Sequence, residues 1–461
     1  MYRKATTMSE SRALRTAPGA LPLLGHSVKL IRDPLGFLES LPAHGGLVEI
    51  RLGPVPGYVV CHPALCHQVL VDDQTFDKGG PVIDAVRELV GDGLGTCAHT
   101  AHRRQRRLTQ PAFHRRRFPG YTAVMADEVD SMTRSWREGE RVELFEQLQR
   151  LTLRVVTRAL FGSTQSPDQV RRISNDMAVA VGSLIWRIVL PRTFRVLPVP
   201  ANRRYTEALA RVHTFIDQMI TDYRHGGVDH GDLLSMLLAS RDDDGRGLSD
   251  AEVHDQVITF FVAGSETVAA ALSWTIHLLG RHPEIEHQAA AEAQAVLSGH
   301  TASWEDLPRL PIIQRIVTET LRLYPPVWIM TRVVTADTEL GGCAISAGSI
   351  IVISPYVLHR NSDIFAEPHR FDPGRWLGQG TNLRPNTGYV PFGGGARKCI
   401  GEAFSLTETV LVLASILNRW NLRPVPGIRV RLRPAPTLVP RSLAMLPISR
   451  NDRKRTEGGG W

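Results

Sequence analysis

Apolar residues recur at helical spacing along most of this 461-residue chain. Between residues 120 and 240, MADEVDSMTRSW, LFEQLQRLTLRVVTRALFG and VHTFIDQMITDY repeat apolar positions three and four apart, which predicts successive amphipathic helices. HPALCHQVLVD, starting at His62, has the same spacing. A later stretch, AEVHDQVITFFVAGSETVAAALSWTIHLLG, is apolar all round from Val257 onward. A helix without a polar face has to run through a core. Its polar residues gather at one place, Gly264-Ser265-Glu266-Thr267.

Strand patterns are fewer. Residues 46–60, interrupted by Pro54 and Gly57, read as a β-hairpin. After Pro326, alternating residues with turns at Gly341-Gly342 and Ala347-Gly348 predict a small antiparallel sheet, and residues 422–449 read as further hairpins. The expectation is a mainly α fold with a small β region. Residues 1–17 and 450–461 read as polar, disordered tails, and residues 79–100 as a glycine-rich mobile loop.

Chemistry concentrates in YVPFGGGARKCIGEAF, from Tyr389 to Phe404. Three consecutive glycines call for a tight turn or close approach to something bulky. Cys399 follows them beside Arg397 and Lys398, cations that favour a thiolate, and a thiolate ligates soft or redox-active metals. The helical pattern beginning just beyond puts that thiolate near a helix N-terminus.

This segment resembles the haem-binding loop of cytochromes P450. The family pattern Phe-x-x-Gly-x-x-x-Cys-x-Gly is met at Phe392, Gly395, Cys399 and Gly401. The resemblance implies a single-domain haem fold over residues 18–449, haem b held axially by Cys399, and O2 as co-substrate. His102 and Arg106, four apart on one helical face, match the family's His-x-x-x-Arg, which binds haem propionates. Arg332 and Arg397 fall at further propionate positions. Ala263-Gly264-Ser265-Glu266-Thr267 resembles the family's oxygen-activating pentamer, with Gly264 making room for O2 while Glu266 and Thr267 organise protons. Glu319, Arg322 and Arg375 match Glu-x-x-Arg and Pro-x-Arg-Trp, a structural triad, with Gly374 where the commonest form has Glu.

Composition narrows the picture further. A hydrophobic fraction of 43% and a charged fraction of 22% fit a folded soluble protein. The N-terminal segment has early cations but no apolar core behind them, so no secretory signal or membrane anchor is expected, and a cytoplasmic monomer is. The five cysteines, at 61, 66, 97, 343 and 399, are too few and scattered for a disulfide scaffold, and Cys61 and Cys66, without partners at zinc spacing, read as packing residues. The net charge of +8 comes almost wholly from arginine, without the interleaved aromatics of a nucleic-acid groove, so no nucleic acid is expected. A basic face for an acidic protein fits better. The resemblance implies electrons from a ferredoxin and its NAD(P)H-dependent reductase, with Arg103, Arg104 and Lys398 as docking candidates.

Phe260, Phe261, Val262, Val327, Ile329, Met330, Leu184 and Val439 are the expected pocket residues, and their apolar character favours a small hydrophobic substrate over a charged acid. The family members resembled imply oxidation of a sesquiterpene at an allylic carbon. A different terpene, a polyketide or a fatty acid stays open, as does a non-catalytic haem protein. The acidic stretch at 242–255 raises one further alternative, Mg2+-dependent terpene cyclisation. Against it stands a solvated loop with Ser249 or Asp250 capping the next helix.

Overall fold

The strand Leu47–Leu52 runs antiparallel to Val55–Val60, with Leu47 opposite Val60 and Leu52 opposite Val55. This is the hairpin that the alternation over 46–60 predicts. The computed structural model describes residues 14–53, 55–162, 166–189, 192–226, 232–378 and 387–450, so most of both expected tails falls outside the described residues. Within the first tail, Arg15–Thr16 is ordered, pairing in parallel with Val48 and Glu49. The backbone there finds a sheet edge, which polarity of side chains does not forbid.

The chain divides into two compact units. The first comprises Met1–Gly80, Ile329–Pro368 and Arg384–Arg397. Its sheet has six strands in the order Arg15–Thr16, Leu47–Leu52, Val55–Val60, Ile350–Ile353, Met330–Val334 and Phe76–Asp77. Ile350–Ile353 is buried at every position, as a continuous apolar run in a central strand requires. Helix Pro63–Val71 starts with a proline in its first turn and the His62 ring accepting from the Ala64 amide. It presses Leu65, Cys66, Val69 and Leu70 into a core with Val60, Phe76, Leu340, Ile353 and Val390. Burial drives the Cys61 and Cys66 thiols up to about 12, which suits packing residues.

The second unit comprises Pro81–Trp328, His369–Leu383 and Lys398–Trp461 and is mostly helix. Its central element is helix Asp250–Arg281. Ser249 caps it in a reciprocal capping box with Glu252, as the local sequence predicts. Its apolar window is long enough to cross a membrane, but 78% of that window is buried inside the protein. Helix Leu144–Phe161 packs along it, and the Thr152 hydroxyl donates to the Ser265 carbonyl at 2.7 Å. The C-terminal segment makes the expected strands: Trp420–Pro424 pairs with Ala444–Ser449, and Arg431–Pro434 with Leu438–Arg441.

Residues 79–100 depart from expectation. They contain helix Gly80–Val90, bounded by Gly80 and Gly91 in the left-handed region, where φ is +82° and +69°. The short amphipathic piece within this glycine-rich segment is thus a full helix with glycines at its ends.

Candidate active site

Cys399 lies just ahead of helix Glu402–Arg419, whose N-cap is Gly401. A side chain at Gly401 would place its Cβ 3.9 Å from the Cys399 sulfur and 4.0 Å from the Phe113 ring. Cys399 is exposed by surface area, yet burial pushes its thiol pKa upward. Both hold for a thiol that solvent reaches from one side while protein surrounds the rest. The Gly401 amide, Arg106 and Lys398 pull the other way by favouring the anion, and Glu402 opposes them. Lys398 is itself paired with Glu402 at 2.5 Å, so its support for the thiolate is partly spent.

Helix His99–Thr109 carries His102 and Arg106 on one face, as their spacing predicts. His102 is buried, and Arg106 donates to the Lys398 carbonyl at 2.6 Å. This bond ties the helix to the residue preceding Cys399. Phe113, in the 3-10 turn that follows the helix, is a neighbour of the cysteine loop that sequence motifs did not single out. Its ring lies 5.4 Å from that of Phe260.

The residues before Lys398 belong to the first unit. Gly393 and Gly395 have φ of +70° and +64°, and a Cβ on Gly395 would sit 2.0 Å from the Leu70 carbonyl oxygen. The close approach foreseen from the glycines is therefore made by the backbone of helix Pro63–Val71. His359 props the loop by accepting from the Val390 amide at 2.9 Å, and Phe392 is half-buried. Arg397 donates to Asp77 at 2.7 Å and to Asp73 at 3.3 Å, so its charge is already balanced. Arg332 is different. It is 2% exposed, donates to the Thr331 carbonyl, and its Nε has no hydrogen-bond partner. Burial, with Arg397 nearby, lowers it to about 10. Among the described residues no carboxylate pairs with it within 4.0 Å. A buried cation in that state is suited to an anionic group of a ligand.

In helix Asp250–Arg281, Ala263 is exposed and Val262, Gly264 and Thr267 are half-buried, between the buried Phe261 and Val268. Thr267 donates its hydroxyl to the Ala263 carbonyl at 2.7 Å. Glu266 is buried. Gly264 is half-buried, and a Cβ there would lie 2.8 Å from Val156 Cγ2, so its missing side chain also serves packing against helix Leu144–Phe161. The open face of the helix is Ala263 and Gly264 with Thr267, residues three and four apart whose spacing was available in the sequence.

Glu319 and Arg322 are fully buried and joined by two hydrogen bonds of 2.9 Å. Arg375 Nε donates to Glu319 at 3.0 Å, the Trp376 indole donates at 2.9 Å, and the Asp372 amide adds a bond of 3.0 Å. The three charged residues singled out from sequence thus converge. At Gly374 the backbone amide donates to Asp372 at 2.9 Å, and a Cβ would lie 2.9 Å from that carboxylate.

The expected pocket residues do not form one class. Phe261 has no exposed surface and packs on Phe215, while Leu184, Phe260 and Val439 are also buried. These four are core or nearly so. Val327 is exposed, and Ile329, Met330 and Val262 are half-buried. Periodicity cannot separate a wall facing a cavity from one facing other side chains.

The acidic stretch is also resolved by its contacts. Asp242 and Glu252 both accept from Arg104 at 2.7 Å, Asp243 from Arg107, Asp244 from Arg246 and Asp250 from Arg224. Among the described residues no three His, Cys, Asp or Glu side chains converge to hold a metal. Each carboxylate there has an arginine or amide partner, which removes the support for Mg2+ binding. Arg104 and Arg107 are accordingly not free docking cations, whereas Arg103 is exposed.

Comparison with known proteins adds an independent line. The cytochrome P450 family model matches residues 16–448. Cyclooctatin synthase from Streptomyces melanosporofaciens is 46% identical over 434 residues, covering 94% of this chain and 95% of that protein. Cyclooctat-9-en-7-ol 5-monooxygenase from the same organism is 46% identical, covering 89% and 90%. Pentalenene oxygenase from Streptomyces avermitilis is 44% identical, covering 90% and 93%. With a match that takes in the cysteine loop, the core helix and the buried Glu319 cluster alike, this chain belongs to the cytochrome P450 family and is a monooxygenase using O2.

Proposed function

We propose that this monooxygenase holds haem through Cys399 and oxidises a hydrophobic terpene. The observation that carries the proposal is the place of the Cys399 thiol, just ahead of helix Glu402–Arg419 and reached by solvent from one side, where the Gly401 amide, Arg106 and Lys398 offset part of the burial that raises its pKa. The residues fit the group: a single sulfur donor stands before a helix N-terminus, and Arg332 is a buried cation lacking a carboxylate. In the second unit His102 and Arg106 would receive a propionate; Arg332 and Arg397 of the first unit stand at the family's further propionate positions by motif alone, Arg397 in a lesser role because Asp73 and Asp77 hold it. Phe392 would cover the thiolate side. When bound, haem supplies the activation of O2 by which one oxygen atom enters a C–H bond and the other leaves as water.

Thr267 and Glu266 would manage the protons. Thr267 donates to Ala263 and keeps oxygen lone pairs that can accept from a donor on the open face of the helix. Glu266 would carry protons from solvent to that hydroxyl. Ala263, Val262 and Val327 in the second unit, and separately Ile329 and Met330 in the first, are apolar residues without a fixed charge, which suits a hydrocarbon better than a fatty-acid carboxylate. Two of the relatives are named for an alkene and an unsaturated alcohol, pentalenene and cyclooctat-9-en-7-ol, which supports a terpene in the broad sense. The narrower reading takes epi-isozizaene through albaflavenol to albaflavenone by two oxidations at one allylic carbon. The relatives favour the broader terpene class over that single pathway. Electrons would come from a ferredoxin and its NAD(P)H-dependent reductase.

A reduced-plus-CO difference spectrum tests the ligand: a thiolate-type Soret band is expected, and a histidine-type band would overturn the assignment. Spectral titration with epi-isozizaene, pentalenene and a C16 fatty acid tests the substrate class. Tighter binding of the fatty acid than of either terpene would reverse the proposal.

A further inference from the structure

We propose that His213 and His254 form a site for one divalent transition metal of the Zn2+, Cu2+ and Ni2+ class, which clips helix Pro200–Gly226 to helix Asp250–Arg281. Both residues belong to the second unit. Nδ1 of His213 lies 3.2 Å from Nε2 of His254, and the two rings are nearly parallel, 14° apart. The pair is half-buried, with the His254 side chain 18% exposed, so ions in solvent can reach it.

Spacing is the first argument. Tetrahedral Zn2+ holds imidazole nitrogens at about 2.0–2.1 Å, which sets two of them about 3.3 Å apart. The two nitrogens already stand at that separation. Without metal the pair makes one hydrogen bond, in which one ring donates its N–H and the other accepts. Exchanging that proton for a metal asks the rings to turn and leaves the helices in place.

Charge and protonation are the second. Asp217, one helical turn beyond His213, places Oδ1 3.5 Å from the same His254 nitrogen. On the far side of the ring Asp255 Oδ1 lies 3.6 Å from His254 Nδ1, while its other oxygen accepts from the Asp92 amide at 2.8 Å. Two carboxylates thus flank the pair, offsetting the charge of a dication and orienting the His254 ring. Burial first, and His254 second, lower the His213 pKa against the pull of Asp217 and Asp255. His213 is therefore neutral near pH 7, the form that ligates metal.

Among the described residues no third His, Cys, Asp or Glu completes the set. The site is accordingly open, two imidazoles with water in the remaining positions, and Asp217, 67% exposed, is placed to accept from such a water. Imidazole donors favour Zn2+, Cu2+ and Ni2+, whereas Mg2+ and Ca2+ take oxygen ligands. The inference does not rest on the proposed haem or substrate.

Untagged full-length protein, treated with EDTA and returned to metal-free buffer near neutral pH, is titrated with Zn2+ by isothermal calorimetry. One equivalent should bind to the parent, be lost from His213→Gln and from His254→Gln, and bind about tenfold more weakly to Asp217→Asn. Mg2+ should not compete. Melting temperatures without metal show whether each variant keeps its fold. The electron paramagnetic resonance spectrum of the parent with one equivalent of Cu2+ needs no variant, and it should show two nitrogen donors. Equal Zn2+ binding by the parent and a folded His254→Gln overturns the proposal, as does a Cu2+ spectrum with fewer than two nitrogen donors.

Discussion

A side chain at Gly264 would bring its Cβ to 2.8 Å from Cγ2 of Val156. Val156 is β-branched and fully buried, so it has little freedom to retreat. Gly264→Ala should therefore destabilise the protein by about 1–3 kcal/mol through overpacking, and Val156→Ala should restore part of the loss in the double variant. Urea denaturation of the four proteins measures this. A stable Gly264→Ala enzyme that releases peroxide would return the glycine to an oxygen-binding role.

Glu319 and Arg322 have no solvent to fall back on. Arg322→Leu should cost about 3–5 kcal/mol because it strands a buried carboxylate. Arg375→Leu should cost less, since Glu319 keeps Arg322, the Trp376 indole and the Asp372 amide. Equal losses in denaturation midpoint for the two variants would contradict this ranking.

Arg332 should show opposite effects in two states. In apoprotein, Arg332→Met removes a buried cation that Asp77 and Asp73 favour only from beyond ion-pair distance, so apoprotein stability should rise. In holoprotein the same change should speed haem transfer to apomyoglobin. Unchanged haem transfer would separate Arg332 from propionate binding.

Burial lowers the His277 imidazole to about 4, with Arg281 and His282 adding to the effect. The unfolded chain then binds a proton below about 6.5 that the folded chain refuses until about 4. The resulting stability is fully present above pH 6.5 and is lost as pH falls to 4, at up to about 1.4 kcal/mol per pH unit. Other groups titrate in this range, so the quantity to measure is the difference in slope between the parent and His277→Gln. A variant with the parental slope would show that His277 does not contribute.

Much of the candidate site was legible because its chemistry is local. Cys399 between Gly395 and Gly401, His102 with Arg106, and Glu319 with Arg322 are each set by spacing within a turn or two of backbone. What those residues face was less accessible. The glycines before Cys399 approach the Leu70 carbonyl, Gly264 answers to Val156, and Phe261 to Phe215. The partners come from distant segments, and no local period encodes them. Arg104 shows the same limit: an exposed-looking arginine run sends one member to Asp242 and Glu252, 138 and 148 residues away.

The sequence by itself determined the helical frame, the buried character of helix Asp250–Arg281, the order of the motifs and the cysteine before a helix N-terminus. These follow from hydrophobic periodicity and from residue types whose backbone or charge demands are intrinsic. Tertiary structure alone decided which cations remain unpaired and which apolar residues are core. Among the described residues Arg397 is ion-paired with Asp73 and Asp77 while Arg332 feels them only from beyond ion-pair distance, because charge pairing depends on distances between segments that only folding brings together.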